Sequence, residues 1–152
     1  MHTAYRSFEQ RGEADAALLA GDLALILFDL GRDDEAHALI PSIIKDAPSF
    51  ALEQQIGWNR AMARTSAVQG DRSRAEEFAR EAVRLASSTD FLALQSDTLV
   101  DLADVLLRDR PGDAIQAADA AIQLCVRKGS VVGARRARTV RERANAGYDA
   151  SP

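Results

Sequence analysis

The sequence has 152 residues, which is long enough for one domain with its own hydrophobic core. Its formal net charge of −4 excludes a general electrostatic attraction to nucleic acid or to anionic membranes. The only cysteine, Cys125, excludes an internal disulfide and a cysteine-based zinc site, and no apolar segment of the signal-peptide type follows the first residues. We therefore expect a single cytoplasmic domain over residues 1–152, with no cofactor and no membrane partner.

Apolar residues recur every three or four positions along most of the chain, which is the spacing of helices that bury one face. Breaks at Gly31, Gly70 and Gly129 separate these periodic stretches, because glycine adopts the left-handed conformation that a helix C-terminus needs. Pro41 is expected to kink or shorten the helix that contains it, and Asp33 or Asp34 to cap the start of that helix. The pattern predicts seven helices and no strand, over residues 14–30, 35–45, 50–69, 74–87, 91–108, 114–127 and 131–144.

A short turn followed by an alanine occurs three times in the chain. The motif occupies residues 31–36, 70–75 and 109–114, so that its last alanine recurs every 39 residues. A regular period of this size is typical of stacked helical hairpins, because each hairpin needs its neighbours to bury its apolar face. The period predicts repeats over residues 14–47, 50–88 and 90–128, followed by a terminal helix over residues 130–144.

Small residues on both sides of the turn give a pattern that resembles the tetratricopeptide repeat. The pattern is clearest in the second copy, at Ala63, Gly70, Ala75, Ala79 and Ala82. The third copy lacks the turn glycine, and the period is about five residues longer than the family's usual 34. The resemblance implies an all-α, tetratricopeptide-like superhelix of about three helical hairpins plus a C-terminal capping helix. It also implies a non-enzymatic scaffold for protein–protein interaction through a concave groove.

Five short segments are similar to the C-terminal repeat regions of bacterial adenylate/guanylate cyclase-type and AAA-ATPase signalling regulators. In those proteins the repeats follow cyclase and ATPase domains, whereas this sequence contains no phosphate-binding loop of the GxxxxGK[ST] form. The similarity implies an interaction arm of a bacterial signalling or transcriptional regulator, without inherited catalytic residues. The segments are residues 58–61, 79–86, 89–92, 101–106 and 127–135.

Charged residues at helical spacing mark two of the helices that would line a groove. Arg60 and Arg64 share one face of the third helix, and Asp97, Asp101 and Asp104 share one face of the fifth. One interpretation is a polar groove that holds a charged protein or peptide partner. The alternative is that these side chains pair with one another across adjacent helices or are solvated. On the first interpretation, replacing both arginines by glutamate abolishes binding and preserves helicity.

Single aromatic and titratable residues give weaker signals. Trp58, the only tryptophan, is either an interface anchor or a residue packed between hairpins. Cys125 lies in the middle of a predicted helix and is interpreted as a buried, apolar-like residue. His2 and His37 are too far apart in sequence for a short metal-binding motif, so we expect no metal site.

Two alternative functions use other surfaces. Exposed apolar ends of a short array could stack two copies into a homodimer, for example through Phe8, Leu18 and Leu19. The last helix is strongly basic, which is compatible with a nucleic-acid patch. No aromatic residues alternate with its arginines for base stacking, so a solvated capping helix is the preferred interpretation. The basic residues of this helix and of the residues just before it are Arg127, Lys128, Arg135, Arg136, Arg138, Arg141 and Arg143.

Overall fold

The computed structural model describes Gly21, residues 23–44 and residues 51–149 of the chain. This part contains seven helices and no strand, which confirms the prediction of an all-α fold with about seven helices. Residues 23–29 belong to α1. The other helices are α2 (Asp33–Ile44), α3 (Leu52–Val68), α4 (Arg72–Ala86), α5 (Leu92–Leu106), α6 (Pro111–Lys128) and α7 (Val131–Asp149).

The boundaries of α2 and α7 differ from the sequence-based predictions. Because α2 begins at Asp33, both Asp33 and Asp34 lie in its first turn, where their charges favour the helix dipole, and neither caps it. The same helix continues past Pro41 to Ile44 and, at 12 residues, is the shortest of the six bounded helices. α7 extends to Asp149, five residues beyond its predicted end.

The helices from α3 onwards form two layers in a repeat-like arrangement. Successive helices pack against each other, and α5 packs in addition against α3 and α7. The helices α3, α5 and α7 therefore form one layer, which we call the odd layer. The helices α4 and α6 form the even layer, since α4 packs against both α3 and α5 and α6 packs against both α5 and α7.

The alanine that ends each turn motif is structurally equivalent in all three copies. Ala36, Ala75 and Ala114 are each the fourth residue of a helix, and none of them is exposed to solvent. Their backbone N–H groups donate to the carbonyl oxygens of the residue just before the helix, at N···O distances of 3.1, 3.0 and 3.0 Å. The period of 39 residues read from the sequence thus corresponds to one structural unit.

The three turns differ in how the chain reverses. Gly31 and Gly70 have φ angles of 70° and 82°, the left-handed conformation that favours glycine. The third turn has no left-handed residue: Leu107 stays in the right-handed helical region, and Arg110 has a φ angle of −141°. Pro111 then occupies the first position of α6, where its missing N–H breaks no hydrogen bond.

Small side chains let the helices approach closely in the core. The largest buried cluster joins Ala79 and Ala118 of the even layer to Val100, Leu106 and Ala137 of the odd layer. A second cluster connects α1, α2 and α3, and its larger members are Leu27, Ile40 and Met62. These two clusters hold the odd layer in place, and the charged residues described below lie on that layer.

Candidate functional site

A buried carboxylate on α5 connects three helices of the odd layer. Only 2% of the Asp101 side chain is exposed, and one of its oxygens, Oδ2, accepts a hydrogen bond from Arg60 Nε at 2.6 Å. The other oxygen, Oδ1, accepts from Arg64 Nη2 at 2.7 Å and from Arg136 Nη2 at 3.1 Å. We call these four residues the Asp101 cluster. It joins α3, α5 and α7 through charge-assisted hydrogen bonds, which are stronger than those between neutral groups.

The Asp101 cluster keeps its carboxyl group ionised despite burial. Burial by itself raises the pKa of a carboxyl group, because the charged form loses its hydration. At Asp101 the guanidinium groups of Arg60, Arg64 and Arg136 outweigh burial and hold the pKa below its ordinary value. Burial also opposes the charge on Arg64, but the carboxylates of Asp101 and Asp29 more than compensate and raise the Arg64 pKa.

Asp29 extends the ion pairs to α1. Its Oδ1 atom accepts a hydrogen bond from Arg64 Nη1 at 2.6 Å and lies 3.8 Å from Arg136 Nη2. The Asp29 side chain is 55% exposed, in contrast to Asp101. Arg64 therefore bridges a buried and an exposed carboxylate, and it is fixed at both ends of its guanidinium group.

Asp104 lies one turn after Asp101 on α5 and has the opposite electrostatic character. Its Oδ1 atom accepts a hydrogen bond from Arg143 Nη1 at 3.1 Å, and its side chain is 39% exposed. Partial burial raises the pKa of Asp104, and the nearby Asp101 carboxylate raises it further, while Arg143 counteracts this only in part. Asp104 is thus a carboxylate whose negative charge is incompletely balanced by its surroundings.

Two adjoining cavities lie between these charged residues and the ends of α3 and α5. The first cavity has a volume of about 420 Å³, and Phe28, Asp29, Asp33, Arg64 and Arg136 contribute to its walls. The second cavity has a volume of about 500 Å³, and its walls include Arg72, Arg108 and Arg143. Both volumes are typical of ligand sites. The cavities share four wall residues, so we treat them as one groove: Ala67, Val68, Asp104 and Val105.

The structure brings four of the five predicted groove residues together and leaves one apart. Arg60 and Arg64 both pair with Asp101, as the alternative interpretation of cross-helix pairing predicts. Arg64, Asp101 and Asp104 line the first cavity. Asp97 is half-buried, and it forms no ion pair with any residue that the structure describes. That these residues contact a partner stays a prediction.

Sequence reasoning missed Asp29, Asp33, Arg136 and Arg143 as residues of this site. The sequence predicts Arg136 and Arg143 on a solvated basic helix, but both donate hydrogen bonds to α5 carboxylates. The available signal was their spacing of seven residues, which places both on one face of α7. Asp29 and Asp33 belong to no charged period, because they flank a turn.

Trp58 packs against the buried cluster of α1, α2 and α3, together with Phe78 of α4. Its ring is half-buried and meets the Phe78 ring edge-on, with ring centroids 5.3 Å apart and an interplanar angle of 89°. Its buried indole nitrogen has no hydrogen-bond partner among the residues that the structure describes. These contacts match the interpretation of Trp58 as a packing residue, and its role as an interface anchor stays a prediction.

The remaining predicted surfaces are only partly described. The residues predicted to support self-association lie outside the described part of the chain: Phe8, Leu18 and Leu19. On α7, Arg141 Nε lies 2.7 Å from Asp119 Oδ1, so three of the basic residues of this helix are paired with aspartates. Arg135 and Arg138 form no ion pair within residues 23–44 and 51–149. Pairing therefore removes much of the positive charge that a nucleic-acid patch would use.

Comparisons with known proteins supply no relative from which a function could be transferred. No family model, no curated protein and no solved structure matches the chain. Among the described helices, none combines the length and the apolar character that a bilayer span requires. The described His, Cys, Asp and Glu side chains form no group of three that could hold a metal ion.

Proposed function

We propose that this chain is a non-enzymatic scaffold for protein–protein interaction, of the tetratricopeptide-like kind, and that the groove binds a protein or peptide partner. The observation that carries the proposal is an open groove in which charged wall residues are held in place by ion pairs with the buried Asp101 side chain. The similarity of five sequence segments to bacterial regulators supports a cytoplasmic role in signalling or transcriptional control.

Fixed side chains favour binding because a partner does not have to order them. Immobilising a long side chain at an interface costs about 0.5–1.5 kcal/mol. Arg64 is already held by Asp29 and Asp101, and Arg136 is held by Asp101. A partner that enters the groove therefore contacts hydrogen-bonding groups that are already ordered. The conformational entropy of these side chains is lost on folding and not on binding.

The groove also offers an exposed apolar surface. Val68, the last residue of α3, is 56% exposed and belongs to the walls of both cavities. Interfaces combine apolar contact area with a small number of oriented polar groups. The presence of both in one groove supports the binding of a polypeptide segment.

The experiment compares two variants that introduce the same charge at matched positions. Val68→Glu places a carboxylate in the shared wall of the groove, and Val126→Glu places one near the end of α6, where the valine is 65% exposed and outside the groove. Each protein is used to capture partners from lysate of the source organism. We expect the wild type and Val126→Glu to capture the same protein, and Val68→Glu to lose it. Equal capture by both variants would contradict the proposal.

The pair Arg60→Glu and Arg64→Glu is a poor test of binding. It would place two carboxylates beside Asp101, and Arg60 is only 9% exposed. A buried carboxylate without a cationic partner destabilises the fold strongly. The expectation that this double variant preserves helicity is therefore replaced by an expected loss of stability, and exposed groove residues are the better targets.

Self-association is a second candidate, because α1 has an exposed apolar stripe. Leu23 and Ile26 of α1 are 46% and 56% exposed and share one side of the helix, and Leu30 in the turn that follows is 64% exposed. Sedimentation of the wild type and of Ile26→Glu at high concentration tests this candidate. A wild-type dimer that Ile26→Glu converts to a monomer supports it, and a wild-type monomer contradicts it.

A further inference from the structure

Among the described residues, each end of the groove has one charged side chain without an ion pair, and these two side chains have opposite charge. At the first cavity, the carboxylates of Asp29, Asp33 and Asp104 face two arginines that both donate hydrogen bonds to buried Asp101. Asp29 also accepts a hydrogen bond from Arg64, and Asp104 accepts one from Arg143, so Asp33 is the carboxylate at this end that is left to pair with a ligand. Asp33 forms no ion pair within the part of the chain that the structure describes.

The second cavity has mainly positive charge. Arg72, Arg108 and Arg143 contribute to its walls, with Asp104 as the carboxylate among them. Arg143 pairs with Asp104, and Arg72 pairs with Asp109 on the surface. Arg108 is exposed and forms no ion pair with a described residue. This end of the groove therefore presents an uncompensated guanidinium group.

The wall that the two cavities share carries apolar side chains beside Asp104. Val68 and Val105 belong to the walls of both cavities, and Val68 is more than half exposed. The groove thus has three parts in order: Asp33 at the first cavity, exposed Val68 and half-buried Val105 beside Asp104 in the shared wall, and Arg108 at the second cavity. A ligand that covers it needs matching groups in the same order, because electrostatic complementarity across an interface selects partners and sets their register.

We infer that the groove binds an extended peptide segment in which an apolar residue lies between a basic and an acidic side chain. The basic side chain pairs with Asp33, the apolar side chain packs on Val68 and Val105, and the acidic side chain pairs with Arg108. This inference rests on the proposed function and specifies the chemistry of the partner. The groove recognises the order of charges along the segment.

Fluorescently labelled peptides with blocked ends test this inference. The first peptide carries one lysine, one leucine and one glutamate separated by glycines, and a second peptide has the reversed order, so that either chain direction is covered. Two further peptides replace the lysine or the glutamate by glutamine. We expect one of the doubly charged peptides to bind the wild type best, and each singly charged peptide to bind about two- to fivefold more weakly, as partly exposed ion pairs do.

Two pairs of protein variants assign each charge to its end of the groove. Asp33→Lys is compared with Asp34→Lys, which makes the same change in the first turn of α2 but lies outside both cavities. Arg108→Glu is compared with Arg127→Glu, an exposed arginine near the end of α6. We expect Asp33→Lys to bind the doubly charged peptide no more tightly than the peptide in which glutamine replaces the lysine. We expect Arg108→Glu to bind it no more tightly than the peptide in which glutamine replaces the glutamate. The two control variants keep both differences in affinity.

The possible results separate this inference from the proposed function. The inference is overturned if the singly charged peptides bind as tightly as the doubly charged ones, if no peptide binds, or if the control variants behave like the groove variants. If Val68→Glu still loses a captured partner under any of these results, the scaffold function stands without the charge order. Equal capture by Val68→Glu and Val126→Glu removes the scaffold function itself.

Discussion

The two layers of helices bury different kinds of residue. In the even layer, every buried side chain is small or apolar, as in Ala75 and Ala79 of α4 and Ala114 and Cys125 of α6. In the odd layer, α3 and α5 also bury polar and charged side chains. These are Asn59, Arg60, Thr65, Ser66, Ser96, Thr98 and Asp101.

The difference shows that two kinds of interaction hold one repeat-like array together. Close contact between alanines sets how near the even helices approach their neighbours, since a larger side chain would not fit. In the odd layer, the Asp101 cluster fixes the relative position of α3, α5 and α7 through hydrogen bonds with defined geometry. The odd layer supplies half of the groove wall residues, among them Arg64, Asp101 and Arg136, so the residues that hold this layer together also form part of the proposed site.

The largest effect is expected from Asp101→Ala in the odd layer. The change leaves Arg60 buried without its carboxylate, and removing one partner of a buried ion pair costs about 3–5 kcal/mol. The free energy of unfolding in urea measures this loss. Asp97→Ala on the same helix is the control, because Asp97 has no ion pair among described residues, and it should cost about 0.5 kcal/mol or less. A loss below about 1 kcal/mol for Asp101→Ala would contradict the proposed structural role of the Asp101 cluster.

In the even layer, Ala118→Leu is expected to cost about 1–3 kcal/mol, because added carbon atoms overpack a tight contact. Ala118 is fully buried in the main cluster. Gln116→Leu, at an exposed position of the same helix, should change the free energy of unfolding by about 0.5 kcal/mol or less. Equal effects at the two positions would show that α6 is not closely packed.

The stabilising effect of Asp101 depends on pH in a defined direction. Its pKa is lowered in the folded state, so its contribution is complete above the unfolded value of about 4 and is lost as the pH falls through the folded value. We expect the difference in unfolding free energy between wild type and Asp101→Asn to be largest near neutral pH and to narrow below about pH 4. A difference that stays constant down to pH values near 2 would contradict the ionised, paired state of Asp101.

Asp104 is expected to show a smaller effect of opposite sign. Its pKa is raised in the folded state, so wild-type stability is lost relative to Asp104→Asn as the pH rises through the interval between the unfolded and folded values. Solvent screens the effect, because more than a third of the side chain is exposed. The same unfolding series, measured from about pH 3 to 7, compares the two variants. If the difference in unfolding free energy from wild type changed with pH in the same direction for Asp101→Asn and Asp104→Asn, the opposite pKa shifts of the two residues would be contradicted.

The alanine positions of the fold could be predicted from sequence because they are local and periodic. Ala36, Ala75 and Ala114 mark one unit every 39 residues, and all three are fully buried at equivalent helix positions. Helical spacing alone identifies such a buried face. The all-α class follows from the same regularity, whereas the first position of α2 and the last of α7 depend on interactions at helix ends that leave a weaker pattern.

The charged site could be predicted only in part because its pairs are distant in sequence. Arg60 and Asp101 are 41 residues apart, and Arg136 and Asp101 are 35 apart. Helical spacing shows that Arg60 and Arg64 share a face, but it does not distinguish a solvated arginine from one paired with a buried carboxylate. That distinction depends on how α3, α5 and α7 lie against each other, and therefore on the tertiary structure.

The most direct test of the proposed groove is photo-crosslinking in cells of the source organism. A photoreactive phenylalanine analogue replaces Val68 in the groove or Val126 outside it, both of which are more than half exposed. We predict a discrete crosslinked partner from position 68 and none of that mass from position 126. The same adduct from both positions, or an adduct from position 126 alone, would contradict the proposal that the groove binds the partner.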